Sequence, residues 1–223
     1  MRFDAVIFDM DGVLVDSEAY WLESRQAFAA AQGRTWTLDD QHAAMGRNTV
    51  EWAAFMRDRL HLEDWPLEAI IEPVRGGVIR RLEARLPLLP GAIEAVQTAA
   101  SAYPVALASG SPTAVIDTVM RLTGLDQILR VRVYGDDIAH GKPAPDIYFE
   151  AARQLGARPE YCVGIEDSAN GLRALHAAGM RAIAVPSPGF SLPPDVLALA
   201  DRVLPSLDSF SLALLRGFWR CEG

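Results

Sequence analysis

The sequence predicts an α/β fold in which helices cover both faces of a parallel sheet. Short, almost continuously apolar segments alternate along the chain with longer segments of helical periodicity. Residues 17–86 interrupt this alternation, because they contain only helical patterns and follow soon after the first apolar segment. We therefore expect a core built from right-handed crossovers and a helical insertion after its first strand.

The apolar segments define the predicted strands of the core. Four are clear, at residues 3–8, 105–108, 161–165 and 182–185. Weaker patterns predict two more, at residues 131–134 and 202–204. The helices between and after them are predicted at residues 91–102, 113–123, 145–156, 168–178 and 208–217.

The insertion contains four predicted helices, at residues 18–31, 38–45, 49–60 and 67–86. The chain leaves the core through Gly12 to Asp16, and Pro87 and the Pro90-Gly91 pair mark its return. We expect two domains, a core of residues 1–16 and 87–223 and a helical cap of residues 17–86.

Composition narrows the functional classes. The chain has 223 residues and a net charge of -8 without a basic cluster, which argues against a nucleic-acid partner. No apolar segment approaches the ~20 residues needed to cross a membrane. Cys162 and Cys221 lie far apart, and no signal segment opens the chain. We expect a reduced, cytoplasmic protein, monomeric or with a weak homodimer as the alternative.

Polar residues follow the ends of the predicted strands, where open parallel sheets bind ligands. Each group has a simple structural explanation alone, such as a turn, a helix start, an N-cap or a solvated charge. Their occurrence in order indicates one site. The groups are Asp9-Met10-Asp11-Gly12, Ser109-Gly110-Ser111, Lys142 and Glu166-Asp167.

The carboxylates at this edge would repel one another. Two unit charges ~5 Å apart cost about 3 kcal/mol at an effective dielectric constant near 20. A hard divalent cation reverses the sign of this interaction, and Mg²⁺ suits carboxylates, a backbone carbonyl, waters and a substrate phosphate. The sequence therefore predicts a metal.

These motifs resemble the haloacid dehalogenase-like superfamily, specifically its β-phosphoglucomutase-like phosphatases with a helical cap. The matching segments are FDMDGVLVDSE at 8–18, LASGSP at 107–112, GKPAPDIY at 141–148, GIEDSANG at 164–171 and AAGM at 177–180. The resemblance covers essentially the whole chain and implies a Rossmann-like core.

The resemblance implies a division of labour among the acids. Asp9 would be the nucleophile that forms an aspartyl-phosphate. Asp11 would act as general acid and then as general base. Mg²⁺ would be held by Asp9, the backbone carbonyl of Asp11, Asp167 and Glu166, the last directly or through water.

The resemblance also implies a phosphate site formed by Ser109, the backbone N–H groups of Gly110 and Ser111, and Lys142. Lys142 is the only lysine among 21 basic residues, and it stands at the lysine position of the family. A compact ammonium differs from a planar guanidinium, so we interpret this lysine as selected for its chemistry.

The family contains other activities. Dehalogenases generally lack the second aspartate, and phosphonate-cleaving relatives need a cap lysine that residues 17–85 do not contain. A β-phosphoglucomutase-type mutase is the alternative function, although Trp21 stands at its histidine position and Thr49 at its cap arginine position. A non-catalytic binding module is disfavoured because the core motifs are complete.

The cap is expected to select the substrate, a small phosphorylated metabolite such as a sugar, sugar-acid or polyol phosphate. Arg47 and Asn48 lie between two cap helices and are candidate substrate contacts, with an exposed helix connection as the alternative. Trp21 is a further candidate that could stack on a sugar, or pack within the cap.

Overall fold

The computed structural model describes residues 3–187 and 192–218. Its core is a six-stranded sheet of order β3-β2-β1-β4-β5-β6, with every neighbouring pair parallel. The strands are β1 (Ala5–Phe8), β2 (Val105–Ser109), β3 (Val131–Tyr134), β4 (Cys162–Glu166), β5 (Arg181–Ala184) and β6 (Arg202–Val203). The predicted Rossmann-like α/β fold is confirmed.

Four helices lie between β1 and β2, namely α1 (Glu18–Ala31), α2 (Leu38–Ala44), α3 (Thr49–Arg59) and α4 (Glu68–Ala84). We call these residues, 18–84, the helical insertion. The remaining helices are α5 (Ala92–Ala100), α6 (Thr113–Thr123), α7 (Asp146–Leu155), α8 (Ala169–Ala177), α9 (Pro194–Leu197) and α10 (Leu212–Gly217).

The last helix begins later than the sequence predicts. Residues 207–209 form a short 3₁₀ turn, and Phe210 is extended. Ser211 then caps α10, because its side chain accepts a hydrogen bond from the Leu214 N–H (3.2 Å). The predicted helix at 208–217 is therefore wrong over its first turn.

The central strand is buried on both faces. Val6 and Phe8 pack into one apolar cluster, which continues into the helical insertion, while Ala5 and Ile7 pack into a second cluster on the other face. This alternation follows from the period of two along a strand. Burial on both faces explains why β1 is continuously apolar up to its polar end.

The helical insertion lies over the carboxyl end of the sheet. The Asn48 side chain donates hydrogen bonds to the carbonyl oxygens of Ile138 (3.3 Å) and Ala139 (3.4 Å), which follow β3. The Thr49 hydroxyl donates to Asp136 (2.5 Å) in the same segment. These contacts hold the first turn of α3 against the strand ends where the polar motifs lie.

Within the described ranges, no helix combines the length and apolarity needed to span a bilayer. Cys162 is a free, buried thiol, and burial raises its pKa to about 12. Cys221 lies outside the described residues.

Candidate active site

Asp9 follows directly after β1, and the sheet positions it. Its backbone N–H donates to the carbonyl oxygen of Ile165 in β4 (3.0 Å), which extends the strand pairing by one residue. The Asp9 side chain is buried at the carboxyl end of the sheet. The strongest partner of its carboxylate is the ammonium group of Lys142, 2.8 Å from Oδ1.

Lys142 bridges two acids. Its Nζ donates to Asp9 Oδ1, to Glu166 Oε1 (2.5 Å) and to the Ala108 carbonyl oxygen (3.3 Å). Burial alone would lower the pKa of Lys142, but the two carboxylates raise it well above its usual range. Lys142 is therefore a fixed positive charge.

Both carboxylate oxygens of Glu166 are occupied by protein donors. Oε1 accepts from Lys142 and from the Tyr148 hydroxyl (2.7 Å). Oε2 accepts from the N–H groups of Asp167 (3.1 Å) and Ser168 (3.2 Å) and from the Ser168 hydroxyl. Burial opposes ionisation, but Lys142 and these hydrogen bonds lower the pKa of Glu166. Glu166 is thus an ionised group that anchors Lys142.

A cluster of buried acids fits a metal cation. Asp9, Glu166 and Asp167 each present a carboxylate oxygen within 4.8 Å of the other two. Burial and mutual repulsion raise the pKa values of Asp9 and Asp167 well above their usual range. Lys142 offsets only part of this negative charge. The donor set suits a hard divalent ion, because it consists of oxygens.

The chain closely surrounds Asp167. Its Oδ2 lies 2.7 Å from the Ser187 hydroxyl, which is also 3.0 Å from the Gly12 carbonyl oxygen. A Cβ atom on Gly12, whose φ is +77°, would lie only 1.9 Å from Asp167 Oδ2. The glycine of the DxDG motif is therefore required both by its backbone conformation and by the neighbouring acid.

Asp11 accepts four side-chain hydrogen bonds. The Ser17 hydroxyl (2.5 Å) and the Trp21 indole (3.2 Å) donate to Oδ1. The hydroxyls of Ser109 (3.1 Å) and Ser111 (2.7 Å) donate to Oδ2. These four donors therefore fix the position of the Asp11 carboxylate. It does not belong to the cluster formed by Asp9, Glu166 and Asp167.

The predicted phosphate-binding residues lie beside these acids. The Ser109 hydroxyl contacts Asp11 and accepts from the Ser111 N–H (3.1 Å). Gly110 lies between these two serines, and a Cβ atom on it would lie 3.3 Å from the Arg47 carbonyl oxygen of the insertion. The insertion thus approaches the Ser109-Gly110-Ser111 turn closely.

A cavity of about 60 Å³ separates the strand ends from the helical insertion. The core contributes Asp9, Asp11, Ser109, Gly110, Ser111, Lys142, Asp167 and Ser168. The insertion contributes Glu18, Trp21, Arg25, Ala44, Met45, Gly46, Arg47 and Trp52. The structure brings all the predicted core residues together. Glu166 contacts Lys142 but does not itself line the cavity.

The cap candidates differ in their surroundings. Trp21 lines the cavity, but it is buried and its ring packs at 6.0 Å from Trp52 and under the Arg25 guanidinium. Arg47 also lines the cavity, while its Nε donates to the Ala43 carbonyl oxygen (2.8 Å). Trp21 therefore packs within the insertion, which is one of the two alternatives that the sequence left open, and it also contacts Asp11.

Asn48 has a structural task that differs from the predicted substrate contact. Its side chain accepts from the Glu51 N–H (2.9 Å) and so caps α3. The same side chain donates to the core carbonyl oxygens that follow β3. Asn48 is not among the residues that line the cavity, and its polar atoms are occupied by the N-cap of α3 and by the core carbonyl oxygens.

Sequence reasoning missed a polar group in the insertion. Arg25 is buried one turn after Trp21 and donates to Gln41 Oε1 (2.8 Å). Gln41 Nε2 donates to Glu18 (3.1 Å). Burial, with the nearby charge of Asp11, raises the pKa of Glu18 to about 7, and burial lowers that of Arg25 to about 10. The four-residue spacing of Trp21 and Arg25 on α1 was the available signal.

Comparison with known proteins places the chain in a family. The family model for haloacid dehalogenase-like hydrolases matches residues 3–179. Hexitol phosphatase B of Escherichia coli K12 is 32% identical over 223 residues, covering 96% of each chain. The phosphorylated carbohydrates phosphatase of Thermotoga maritima is 33% identical over 181 residues, covering 81% of this chain and 83% of that protein.

A solved structure agrees with these relatives. The crystal structure of a single-residue mutant of CbbY from Rhodobacter sphaeroides in complex with xylulose-1,5-bisphosphate superposes with a TM-score of 0.81 and 26% identity. The superposition covers 96% of this chain and 99% of CbbY. The predicted family and the interpretation as a phosphatase agree with these findings. The chain belongs to the haloacid dehalogenase-like hydrolases.

Proposed function

We propose that this chain is a Mg²⁺-dependent phosphatase that hydrolyses a small phosphorylated metabolite through an aspartyl-phosphate. The observation that carries the proposal is the buried Asp9–Lys142–Glu166 bridge at the end of β1 and β4. It presents an aspartate beside a fixed positive charge. Asp11 lies two residues further along and faces the same cavity.

The buried acids fit Mg²⁺. Asp9 and Asp167 would bind the ion through their carboxylates and Asp11 through its backbone carbonyl. Glu166 would act through a water, because both of its oxygens already accept hydrogen bonds from the protein. The bound ion would offset the negative charge that the nucleophile and the phosphate bring together.

In the first chemical step, a carboxylate oxygen of Asp9 forms a bond to phosphorus while the bond from phosphorus to the leaving oxygen breaks. Asp11 gives its proton to that oxygen, so that the product leaves as a neutral alcohol. Lys142 and the Ser109-Gly110-Ser111 turn stabilise the charge on the phosphoryl oxygens.

In the second step, Asp11 accepts a proton from water as the water oxygen attacks phosphorus. The bond between phosphorus and the Asp9 oxygen breaks, which releases inorganic phosphate and restores Asp9. The hydrogen bonds to Asp11 from Ser17, Trp21 and Ser111 keep its carboxylate in place between the two steps.

The substrate class we propose is a sugar or polyol phosphate, or a related sugar-acid phosphate. The names of hexitol phosphatase B and the phosphorylated carbohydrates phosphatase support this class, as does the bisphosphate bound by CbbY. We favour hydrolysis over the mutase alternative. Trp21, which stands at the histidine position of the mutase, can only donate a hydrogen bond. The hydroxyl of Thr49, which stands at the cap arginine position, is hydrogen-bonded to Asp136. We further propose a monomeric, cytoplasmic enzyme without a nucleic-acid partner.

The direct test is release of phosphate from p-nitrophenyl phosphate with and without Mg²⁺. We expect activity that EDTA abolishes and Mg²⁺ restores, and that Asp9→Asn lacks. Asp58→Asn is the control, since Asp58 lies on α3 in an exposed ion pair with Arg57. Activity in Asp9→Asn would refute the nucleophile. Conversion of a hexose 1-phosphate into its 6-phosphate would instead favour a mutase.

A further inference from the structure

Arg25 is a buried cation that no carboxylate contacts directly, although the charges of Glu18 and Asp11 act on it from a longer distance. Only 4% of the residue is exposed, and it lines the cavity. Among the described residues, no carboxylate oxygen lies within 4.0 Å of its guanidinium nitrogens. Nη1 donates to Gln41, whereas Nε has no hydrogen-bond partner. A buried charge of this kind calls for a counter-ion.

A second unpaired donor lies beside it. The Trp52 indole N–H is buried and has no hydrogen-bond partner among the described residues. The Arg25 guanidinium carbon lies 5.2 Å from the Trp52 ring centroid, and both residues line the cavity. Because Arg25 Nε and the indole N–H are both donors, the group that completes this site must be an acceptor.

The surrounding side chains hold the guanidinium in position. Its carbon lies 4.9 Å from the Trp21 ring centroid and 5.2 Å from the Trp52 ring centroid, so both indoles contact the cation. Gln41 Oε1 accepts from Arg25 while Gln41 Nε2 donates to Glu18, which fixes the orientation of the amide. The site is therefore built before any ligand binds.

We propose that Arg25, together with the Trp52 indole N–H, binds a second anionic group of the substrate. This inference rests on the proposed phosphatase function and narrows its substrate class. The substrate is then a phosphate ester whose other end carries a carboxylate or a further phosphate. A neutral polyol could accept hydrogen bonds but would leave the guanidinium without a directly bonded counter-charge, since Glu18 and Asp11 do not contact it.

The two ends of the substrate would bind to different parts of the chain. The reacting phosphate belongs with Lys142 and the Ser109-Gly110-Ser111 turn, which the core provides. Arg25 and Trp52 lie on α1 and α3 of the helical insertion, across the cavity. A substrate that bridges them would bind best with the insertion closed over the strand ends.

Hydrolysis of four esters tests the proposal. 6-Phosphogluconate carries a carboxylate, fructose 1,6-bisphosphate carries a second phosphate, and glucitol 6-phosphate and p-nitrophenyl phosphate carry neither. We expect kcat/KM for one of the two anionic esters to exceed that for glucitol 6-phosphate by about tenfold or more. Which of the two is preferred distinguishes a carboxylate from a phosphate.

Variants test whether Arg25 causes this preference. Arg25→Met should remove it and Arg25→Lys should retain part of it. The control Arg57→Met, at a partly exposed position of α3 that does not line the cavity, should leave it unchanged. If Arg25→Met fails to fold, Trp52→Phe removes one donor and should reduce the preference. A preference for glucitol 6-phosphate in the native chain would overturn the proposal. An equal loss on all four esters in Arg25→Met would also overturn it, since Arg25 would then act on the reacting phosphate.

Binding provides a readout that does not depend on turnover. In Asp9→Asn, calorimetric titration should show tighter binding of the preferred anionic ester than of glucitol 6-phosphate, and Arg25→Met should remove the difference. Equal affinities would contradict the second anion site. Failure to hydrolyse p-nitrophenyl phosphate would refute the phosphatase function instead, so the two failures are distinguishable.

Discussion

The indole N–H of Trp21 donates a 3.2 Å hydrogen bond to Oδ1 of Asp11. Trp21 belongs to α1 of the helical insertion, whereas Asp11 belongs to the loop that follows β1. An indole N–H donates but never accepts, so this contact stabilises the carboxylate without exchanging its proton. The insertion therefore contributes directly to the placement of the proposed acid and base.

Replacing Trp21 by Phe should lower kcat about tenfold, because one hydrogen bond to a charged group is lost while aromatic packing remains. Trp65→Phe is the control, because Trp65 packs edge-on against Phe28 within the insertion, away from the cavity. Equal kcat values in the two variants would show that the Trp21 hydrogen bond has no catalytic effect.

Lys142→Met should abolish activity and destabilise the fold by about 3–5 kcal/mol, because Glu166 and Asp9 become buried carboxylates without a cationic partner. Lys142→Arg should not restore activity, since a planar guanidinium cannot replace one nitrogen that donates to three acceptors. Urea unfolding and phosphate release measure the two effects.

The double variant Lys142→Met with Glu166→Gln provides the control for stability. It should recover part of the lost free energy of unfolding, because the second buried charge is removed as well, yet remain inactive. If the double variant were as unstable as Lys142→Met, the loss would come from packing and not from charge.

The core of the site was predictable because its residues lie at fixed places in the topology. Asp9 and Glu166 sit at or just beyond the ends of neighbouring parallel strands, so strand order alone brings them together. The single lysine was identifiable from composition. None of this required side-chain packing, which is why short motifs sufficed to predict their proximity.

The cap could not be predicted in the same way. The burial of Arg25 depends on how Trp21, Gln41 and Trp52, from three different helices, pack around it. A charged residue on an amphipathic helix is usually solvated, so the four-residue spacing from Trp21 was too weak a signal to predict that Arg25 is buried. Asn48 shows the converse, because the amide that looked available for a ligand caps α3.

Glu18→Gln should stabilise the protein more at pH 8 than at pH 5. Burial raises the pKa of Glu18 to about 7 from 4.5, so its contribution to stability is complete below pH 4.5 and is lost as the pH rises through about 7. Gln avoids this loss. The gain in the free energy of unfolding should grow by on the order of 1–2 kcal/mol between pH 5 and pH 8. Solvent screening keeps it this small, because the residue is only half-buried.

Denaturant unfolding in EDTA at several pH values measures this difference. The exposed acid Glu94 on α5 supplies the control, because Glu94→Gln makes the same chemical change outside a buried environment. A gain for Glu18→Gln that did not depend on pH would mean that Glu18 titrates in its ordinary range.

Gly171→Ala should disable the site while leaving the fold largely intact. A Cβ atom on Gly171 would lie 1.8 Å from Cδ of Glu166, a distance that real atoms cannot adopt. The Glu166 carboxylate must then move away from Lys142 and Ser168. We expect at least a hundredfold loss of kcat, and a destabilisation of about 1–3 kcal/mol from overpacking.

Gly217→Ala is the control, since a Cβ atom there would meet no atom within 4 Å. Because α8 begins only two residues earlier, at Ala169, the helix cannot shift far without losing its cap at Ser168. If kcat were retained in Gly171→Ala, Glu166 would not be needed to anchor Lys142, and the bridge proposed as the basis of catalysis would reduce to Asp9 and Lys142 alone.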